Sequence, residues 1–266
     1  MAEDDKTYKA LSSNPRPNML VIWANHDDHR KDNTTAAAAS QLQTTSEEQG
    51  DSFGSIRYKK LITTRPTRLL SALCSTNAHI TNLIYADVDS VWTNNPIPAV
   101  QHLLYDKDSP QLDIVAQMDH PKVRRYGPLS YCTGFLGMKN NLKVQQLIYM
   151  WEKAIEEKWQ LGLVGDAGDQ PVFQEVSNSI AAMKIGLKHG SLPMDLFPPG
   201  YMYFNTTGTI DHSKVAVVHN NWIVGHRRKK LRFYLWDLWK AKEPTSWWKG
   251  EAGISNNEKL LETLLA

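Results

Sequence analysis

The sequence predicts an α/β fold, in which helices pack in layers on a central sheet. Short apolar runs of strand length alternate with longer segments whose apolar residues recur at helical spacing. An apolar fraction of 41% in 266 residues is enough to build one sizeable core, and a charged fraction of 22% is ordinary for a soluble protein. We therefore expect a flexible lead over residues 1–17 and a single domain over residues 18–266.

The predicted elements begin with a buried strand over residues 18–24 and an exposed, alanine-rich helix that ends before Gly50. SIRYKKLITT (55–64) predicts a second strand. RPTRLLSALCSTN (65–77) predicts a helix, because a proline in the first turn is compatible with helix initiation. LIYA (83–86) then predicts a third strand.

The second half of the chain continues the alternation. DIVAQMD (113–119) and GFLGMK (134–139) predict strands, and residues 140–160 carry apolar residues at the most regular helical spacing in the chain. A glycine-rich turn, GLVGDAGDQ, leads into a predicted helix over PVFQEVSN (171–178). The last predicted elements are strands at AAMKIGLK (181–188), LFPPGYMYF (196–204) and KVAVVHNNW (214–222), then a basic, tryptophan-rich tail and an amphipathic helix over residues 257–266.

Composition argues against several classes of function. The net charge is +2 and the basic residues are dispersed, so no nucleic-acid partner is expected. Cys74 and Cys132 are too few for a disulfide framework and form no CxxC pattern, which leaves open only a single bridge between them. The sequence shows no apolar run of ~20 residues and has a polar start, so we expect no transmembrane segment or secretory signal in this chain and a cytoplasmic location.

Two aspartates directly follow the predicted third strand. A buried strand that ends in Asp87 and Asp89 would place both carboxylates at the edge of the sheet where ligands bind. Desolvated carboxylates this close repel each other and need a cation or a proton between them, and oxygen ligands suit Mg²⁺ or Mn²⁺. Asp106 and Asp108 have the same spacing in the polar segment YDKDSPQ, where we expect a solvated turn, so the spacing alone carries little information.

The residues themselves leave three interpretations of Asp87 and Asp89 open. They hold a divalent ion on the diphosphate of a nucleotide sugar, or they merely end the strand. The third interpretation is that DVDSV resembles the DxDx[TV] motif of haloacid-dehalogenase-like phosphohydrolases, in which the first aspartate attacks phosphorus. That nucleophile normally ends the first strand, whereas two predicted strands precede Asp87 here.

Five segments occur in one order: RPTRLLSAL, LIYADVDSVW, YCTGFLGMK, GDAGDQPVF and VHNNWIVGHRRK. Together they resemble the nucleotide-diphospho-sugar transferases of glycosyltransferase family 77 and, more loosely, the glycogenin-like family 8. The resemblance implies a GT-A (Rossmann-like) three-layer sandwich with a mixed, mainly parallel central sheet. It also implies transfer of a sugar, galactose or xylose being favoured, from a UDP-sugar to a hydroxyl acceptor with retention of configuration. A soluble lumenal domain of a Golgi enzyme is then the alternative location.

Carried over by position, the resemblance assigns Mn²⁺ (or Mg²⁺) to Asp87, Asp89 and His219. A neutral imidazole at the end of an apolar strand suits Mn²⁺ better than Mg²⁺. The catalytic pair beside the reacting carbon corresponds to Asp169 and Gln170. Because a glutamine is a poor nucleophile, same-face attack by the acceptor is favoured over a covalent intermediate.

The resemblance also implies a set of donor-binding residues, in which positive charge over the diphosphate would stabilise the leaving group. Cys132 stands where glycogenin-like relatives often have asparagine. The resemblance does not specify the acceptor, which is a glycan, a glycoprotein or a small molecule. Trp236, Trp239, Trp247 and Trp248 are candidates for stacking on a sugar or glycan, but the helical spacing of Trp236 and Trp239 favours a core position for these two. Trp222 is expected to pack beneath the loop that carries the metal-binding residues. A non-catalytic nucleotide-binding or glycan-binding module with the same fold is a further alternative. The donor-binding set is Arg68, Asp87, Val88, Asp89, Thr133, Gly134, Gly225, His226 and Arg227.

Overall fold

The computed structural model describes residues 56–75, 80–119, 130–163, 168–205 and 210–239, without the side chains of residues 56, 57, 226 and 227. The predicted lead, the strand over 18–24, the alanine-rich helix and the C-terminal amphipathic helix lie outside these residues. The described elements follow one another as α1 (Ile56–Thr63), α2 (Arg65–Leu73), β1 (Asn82–Ala86), β2 (Ser90–Trp92), α3 (Ile97–Tyr105), β3 (Ile114–Met118), β4 (Tyr131–Lys139), α4 (Leu142–Gln160), α5 (Asp169–Ser177), α6 (Ile180–Lys184), β5 (His189–Ser191), α7 (Gly200–Asn205), β6 (Val217–His219) and α8 (His226–Leu235).

Four of the strands form a mixed sheet in the order β1-β4-β3-β5. The β1–β4 and β3–β4 pairs are antiparallel and the β3–β5 pair is parallel. The α/β class with a mixed sheet is thus confirmed, although parallel pairing within the described part of this sheet is confined to β3–β5. A separate antiparallel ladder joins β2 to β6 and sets Ser90 opposite His219.

Helices cover both faces of the sheet and give the layered arrangement. On one face, α2, α4 and α5 pack on the sheet around the fully buried Trp151 and Phe173. On the other face, Val100 and Leu104 of α3 pack against Phe135 of β4. Alternate residues of an extended strand point to opposite faces, which is why β4 is buried along most of its length.

Helix α4 confirms the helix that the most regular apolar spacing in the sequence predicted. Its first turn is capped by Asn141, whose side chain accepts from the backbone N–H of Val144 at 3.0 Å. Trp151 Nε1 donates to the backbone carbonyl of Asp169 at 2.8 Å, so the buried face of α4 also fixes the start of α5. Among the described residues, no helix has the length and apolar character needed to cross a membrane.

Three predicted strands are largely or partly helical in the structure. Residues 55–64 were predicted as a strand, but residues 56–63 form α1. In the other two segments, residues 181–184 belong to α6, whose first turn is capped by the Ser179 hydroxyl, and residues 200–204 belong to α7, which follows a pair of prolines. Short apolar runs of this kind fit either state, and tertiary packing decides between them. Because residues 56–63 are helical, LIYA is not preceded by the second strand that we had counted.

The tryptophans of the C-terminal part only partly meet the expectation of a core position. Trp239 is partly buried and stacks on Tyr234 with ring centroids 5.8 Å apart. Trp236 packs edge-on against Phe204 but keeps 36% of its surface exposed. Trp222 was predicted to pack beneath the loop that carries the candidate metal ligands. Its side chain is 50% exposed, which does not fit a packed position.

Candidate active site

Asp87 and Asp89 lie in the short connection between the two sheets. The backbone N–H of Asp87 donates to the carbonyl of Gly134 at 2.7 Å, which extends the β1–β4 ladder by one step. A turn follows, closed by Ser90 N–H on the Asp87 carbonyl at 3.0 Å, and β2 then begins opposite His219. This chain path brings the side chains of both aspartates and of His219 to one point.

The three predicted metal-binding side chains each turn one ligand atom toward a common centre. His219 Nε2 lies 3.7 Å from Asp87 Oδ2 and 3.4 Å from Asp89 Oδ1, and the three atoms all lie within 4.8 Å of one another. Neighbouring ligands of an octahedral ion with bonds of about 2.1 Å stand roughly 3 Å apart. Two carboxylates and one imidazole in this geometry fit a divalent cation such as Mn²⁺.

The orientation of the His219 ring is fixed from behind by Gln117. The side-chain Nε2 of Gln117 donates to the carbonyls of Phe197 at 3.2 Å and Pro198 at 2.9 Å, so its oxygen must face the histidine. His219 Nδ1 lies 3.0 Å from Gln117 Oε1 and therefore carries a proton that it donates to this oxygen. Nε2 is thereby directed at the two aspartates.

The imidazole of His219 packs against the backbone of Gly134. A Cβ atom at this position would stand 2.1 Å from His219 Cε1, so any side chain would displace the ring. Gly134, which was predicted to bind the donor, thus packs against His219. Cys132, two residues earlier on β4, places its Sγ 3.4 Å from His219 Nδ1.

The electrostatic environment keeps positive charge on His219. Burial works to lower the pKa of His219, but the contacts with Cys132 and with the Asp89 carboxylate outweigh it and raise the pKa well above its usual value. The imidazolium thus separates the two carboxylates. A divalent ion bound by Nε2 would take the place of its proton, because only the neutral ring is a ligand.

Lys229 of α8 pairs with the other oxygen of Asp89. Its Nζ lies 2.5 Å from Asp89 Oδ2, while Oδ1 faces His219. Burial works to raise the pKa of Asp89, but the bonds from His219 and Lys229 outweigh it and lower the pKa far below the usual value, so Asp89 is charged at neutral pH. The sequence analysis included Lys229 only as part of a basic segment. That segment indicated positive charge, but nothing in the sequence identified Asp89 as the partner of Lys229.

Arg65 connects Asp87 to Asp169, and the sequence analysis missed it. Its side chain is 9% exposed at the start of α2. Nη2 donates to Asp87 Oδ1 at 2.8 Å, Nη1 donates to Thr133 Oγ1 at 2.6 Å and to Asp169, and Nε donates to the Tyr85 hydroxyl at 3.0 Å. One guanidinium therefore holds two carboxylates and fixes their spacing.

Arg68 was predicted for this region in place of Arg65. It lies almost one turn further along α2, where its Nε donates to Thr64 Oγ1 at 3.1 Å. Both arginines occur in RPTR, and the guanidinium of Arg65 binds Asp87 and Asp169. A direct role of Arg68 toward a donor stays a prediction.

Asp169 and Gln170 open α5 beside this cluster. Asp169 is 5% exposed, and its Oδ2 accepts from the Thr133 hydroxyl at 2.9 Å. Burial raises the pKa of Asp169, and the negative charge of Asp87 adds to the effect while Arg65 opposes it. Gln170 follows in the first turn and is half-buried. The place of Asp169 and Gln170 beside the reacting carbon stays a prediction. In the structure, Arg65 connects Asp169 to Asp87.

Val88 and Gly225 were also predicted to bind the donor. Val88 is 65% exposed between the two aspartates, and Gly225 precedes α8 with a φ of 97° that favours glycine. The side chains of His226 and Arg227 lie outside the described part. Tyr58 of α1 was not predicted, yet burial and then the negative charges of Asp169 and Asp87 raise its pKa to about 12.

The second DxD pair lies outside the site, as predicted, and the cysteines form no bridge. Asp106 and Asp108 lie exposed in a turn, where Asp106 Oδ2 pairs with His102 at 2.8 Å, so the second DxD pair is a solvated loop. Cys74 and Cys132 are both free, and the single bridge that the sequence left open is not formed.

A family model described as nucleotide-diphospho-sugar transferase matches residues 1–233. The chain belongs to this family. It is 28% identical over 195 residues to a UDP-D-xylose:L-fucose alpha-1,3-D-xylosyltransferase of Arabidopsis thaliana, with 71% of this chain and 51% of that protein covered. It is 25% identical over 206 residues to a UDP-galactose:fucoside alpha-3-galactosyltransferase of Dictyostelium discoideum, with 72% of this chain and 30% of that protein covered. The chain thus spans about half the length of the xylosyltransferase that it matches.

Membership in the nucleotide-diphospho-sugar transferase family confirms the resemblance drawn from the five ordered segments. It also removes the main support for Asp87 as a phosphate-attacking nucleophile, since that motif belongs to a different family. In this chain, cations and carboxylates alternate across the candidate site in the order Lys229, Asp89, His219, Asp87, Arg65 and Asp169.

Proposed function

We propose that this domain is a metal-dependent, retaining glycosyltransferase that moves a sugar from a UDP-sugar to a hydroxyl group of an acceptor. The observation that carries the proposal is the convergence of Asp87 Oδ2, Asp89 Oδ1 and His219 Nε2 on one centre. The two relatives named above act with UDP-D-xylose and UDP-galactose according to their names, which supports a UDP-sugar donor here.

Each of the two aspartates has one carboxylate oxygen bonded to the protein and one left for an ion. Asp87 Oδ1 is taken by Arg65 and by the Tyr85 hydroxyl, at 2.8 Å and 2.6 Å, which leaves Oδ2 for a metal. Asp89 likewise gives Oδ2 to Lys229 and Oδ1 to the centre. A bound Mn²⁺ or Mg²⁺ would supply positive charge that neutralises the diphosphate as UDP leaves.

Asp169 and Gln170 would act on the sugar side of the site. The bond between the anomeric carbon and the phosphate oxygen breaks, the acceptor oxygen bonds to that carbon on the same face, and the acceptor proton passes to the departing phosphate. Asp169 is held by Arg65 and Thr133 and would orient hydroxyl groups. Gln170 is a neutral amide and a poor nucleophile, which favours this route over a covalent intermediate.

The names of the relatives also narrow the substrates that we propose. Both names specify an α-linked product and an L-fucose or fucoside acceptor, with D-xylose or galactose as the transferred sugar. We therefore propose UDP-xylose or UDP-galactose as the donor and a fucoside as the acceptor. Release of UDP with methyl α-L-fucoside and Mn²⁺, measured across a panel of UDP-sugars, identifies the donor.

The decisive experiment removes one metal-binding carboxylate and compares it with the second DxD pair. Asp89→Ala is expected to abolish turnover and metal-dependent UDP binding, measured by UDP release and calorimetry. Asp108→Ala, in the exposed turn, is the matched control and should behave as wild type. Full activity of Asp89→Ala would sink the proposal. A wild-type protein that binds UDP but transfers to neither acceptor nor water would instead be a non-catalytic binding module.

A further inference from the structure

Trp222 adopts an unusual conformation next to the metal-binding histidine. It has a φ of 60°, in the left-handed region that bulky residues rarely occupy, and its side chain is 50% exposed. Backbone strain of this kind persists only where the surrounding structure imposes it, and it is common at functional sites. A large aromatic side chain is therefore held at the surface at a conformational cost, three residues after His219.

The edge of the indole ring is fixed by Asp119. Trp222 Nε1 donates to the backbone carbonyl and to Oδ1 of Asp119, both at 3.2 Å. Asp119 directly follows β3, and its backbone N–H donates to the carbonyl of Ser130 at 2.8 Å. The orientation of the ring is thus set by the central sheet.

Tyr201 of α7 extends the aromatic surface. Its ring centroid lies 6.2 Å from that of Trp222 at an interplanar angle of 57°, and its side chain is 40% exposed. The backbone N–H of Gly200 donates to Asn221 Oδ1 at 2.6 Å, and a Cβ on Gly200 would stand 2.7 Å from the His219 carbonyl. We call Trp222 and Tyr201 the aromatic corner; it is fixed to the segment that carries the metal ligand.

The chain itself limits the separation between Trp222 and the group formed by Asp87, Asp89 and His219. Trp222 follows His219 by three residues, and three residues of fully extended chain span at most about 11 Å between Cα atoms. An acceptor saccharide whose reacting hydroxyl lies at the donor sugar can bridge a distance of this order.

We propose that the aromatic corner is the acceptor subsite, where Trp222 stacks on the apolar C–H face of a saccharide ring and Tyr201 borders it. This inference rests on the proposed glycosyltransferase function. Aromatic rings present a large flat apolar face with little conformational freedom, which suits a sugar ring. The methyl group of a fucoside adds apolar surface to such a contact. Asp119 is a positioning residue, because it holds the edge of the indole and leaves the stacking to the ring.

Kinetics that separate acceptor from donor test the proposal. Trp222→Asn removes the ring, and asparagine tolerates the left-handed backbone. The KM for methyl α-L-fucoside should rise about tenfold or more, since loss of an aromatic contact and its burial exceeds ~1.4 kcal/mol. The KM for the donor and the release of UDP to water should stay within about twofold of wild type. Trp222→Phe keeps a flat face and should retain most of the acceptor affinity.

Tyr149→Ala is the matched control, because Tyr149 is an aromatic residue with 51% exposure on α4, outside the site. An unchanged acceptor KM in Trp222→Asn overturns the inference, and so does an equal rise in the donor KM. If the wild-type protein transfers no sugar, the proposed function fails. Binding of methyl α-L-fucoside, measured by saturation-transfer NMR, then decides the inference: binding that is lost in Trp222→Asn supports it, and absent or unchanged binding refutes it.

Discussion

The imidazole of His219 lies directly on the backbone of Gly134, where a Cβ atom would stand 2.1 Å from Cε1. Gly134→Ala is therefore expected to push the ring away from Asp87 and Asp89 and to abolish metal-dependent UDP binding. Calorimetry with Mn²⁺ and UDP measures the binding, and circular dichroism reports whether the variant folds.

Gly137→Ala is the control for this substitution. Gly137 lies on the same strand, and its Cβ would stand 2.6 Å from Val100 Cγ1, on the core side and away from the cluster. Both variants should lose stability through overpacking, by about 1–3 kcal/mol. Only Gly134→Ala should lose metal binding; the same loss in both would mean that general destabilisation is the cause.

Gln117 fixes the tautomer of His219 from a fully buried position. Gln117→Met removes the acceptor of the Nδ1 proton, so Nε2 is no longer held as the ligand atom. We expect Mn²⁺ affinity to fall about 10–100-fold, the usual effect of losing an outer partner of a metal ligand. Gln145→Met, on α4, changes the same side chain outside the cluster and should leave Mn²⁺ affinity unchanged. Wild-type affinity in Gln117→Met would contradict this account.

Arg65 and Arg68 offer a direct comparison of two arginines on one helix. Arg65→Met leaves Asp87 and the buried Asp169 without their shared cation, which should cost about 3–5 kcal/mol in the free energy of unfolding and remove most of kcat. Arg68→Met removes the bond to Thr64 but leaves the cation between Asp87 and Asp169 in place, so it should lower the free energy of unfolding and kcat less than Arg65→Met does. Urea denaturation and UDP release measure the two effects. A larger loss of activity in Arg68→Met would favour the assignment made from sequence.

His189 gives the fold a pH-dependent contact. Its Nδ1 lies 2.7 Å from the Tyr131 hydroxyl and accepts that proton only when the ring is neutral. Burial lowers the pKa of His189. The unfolded chain, with a pKa near 6.5, therefore binds the proton more readily, and the stability from this contact is present above pH ~6.5 and is lost as pH falls below it. Urea denaturation at pH 7.5 and 5.5 should show a smaller pH effect in His189→Gln; an equal effect would exclude this histidine as the cause.

Several parts of the site followed from local sequence. The apolar runs before Asp87 and before His219 each predicted a strand, and β1 and β6 confirm both strands. The roles of Asp87 and His219 as metal ligands stay a prediction. The helical spacing over residues 140–160 predicted α4, because periodicity over five turns is a strong signal. The segments 55–64 and 196–204 were wrong, since nothing local distinguishes a short apolar helix from a strand before it packs.

The sequence by itself determined the family, through the order of five motifs, and the identity of the three candidate metal ligands. The tertiary structure alone decided which cations accompany them. Arg65 and Lys229 are paired with Asp87 and Asp89 by the packing of α2 and α8 against the ends of the strands. Charge pairing of buried groups depends on distances of a few ångströms between segments far apart in the chain. No local pattern in RPTR or HRRKK encodes those distances.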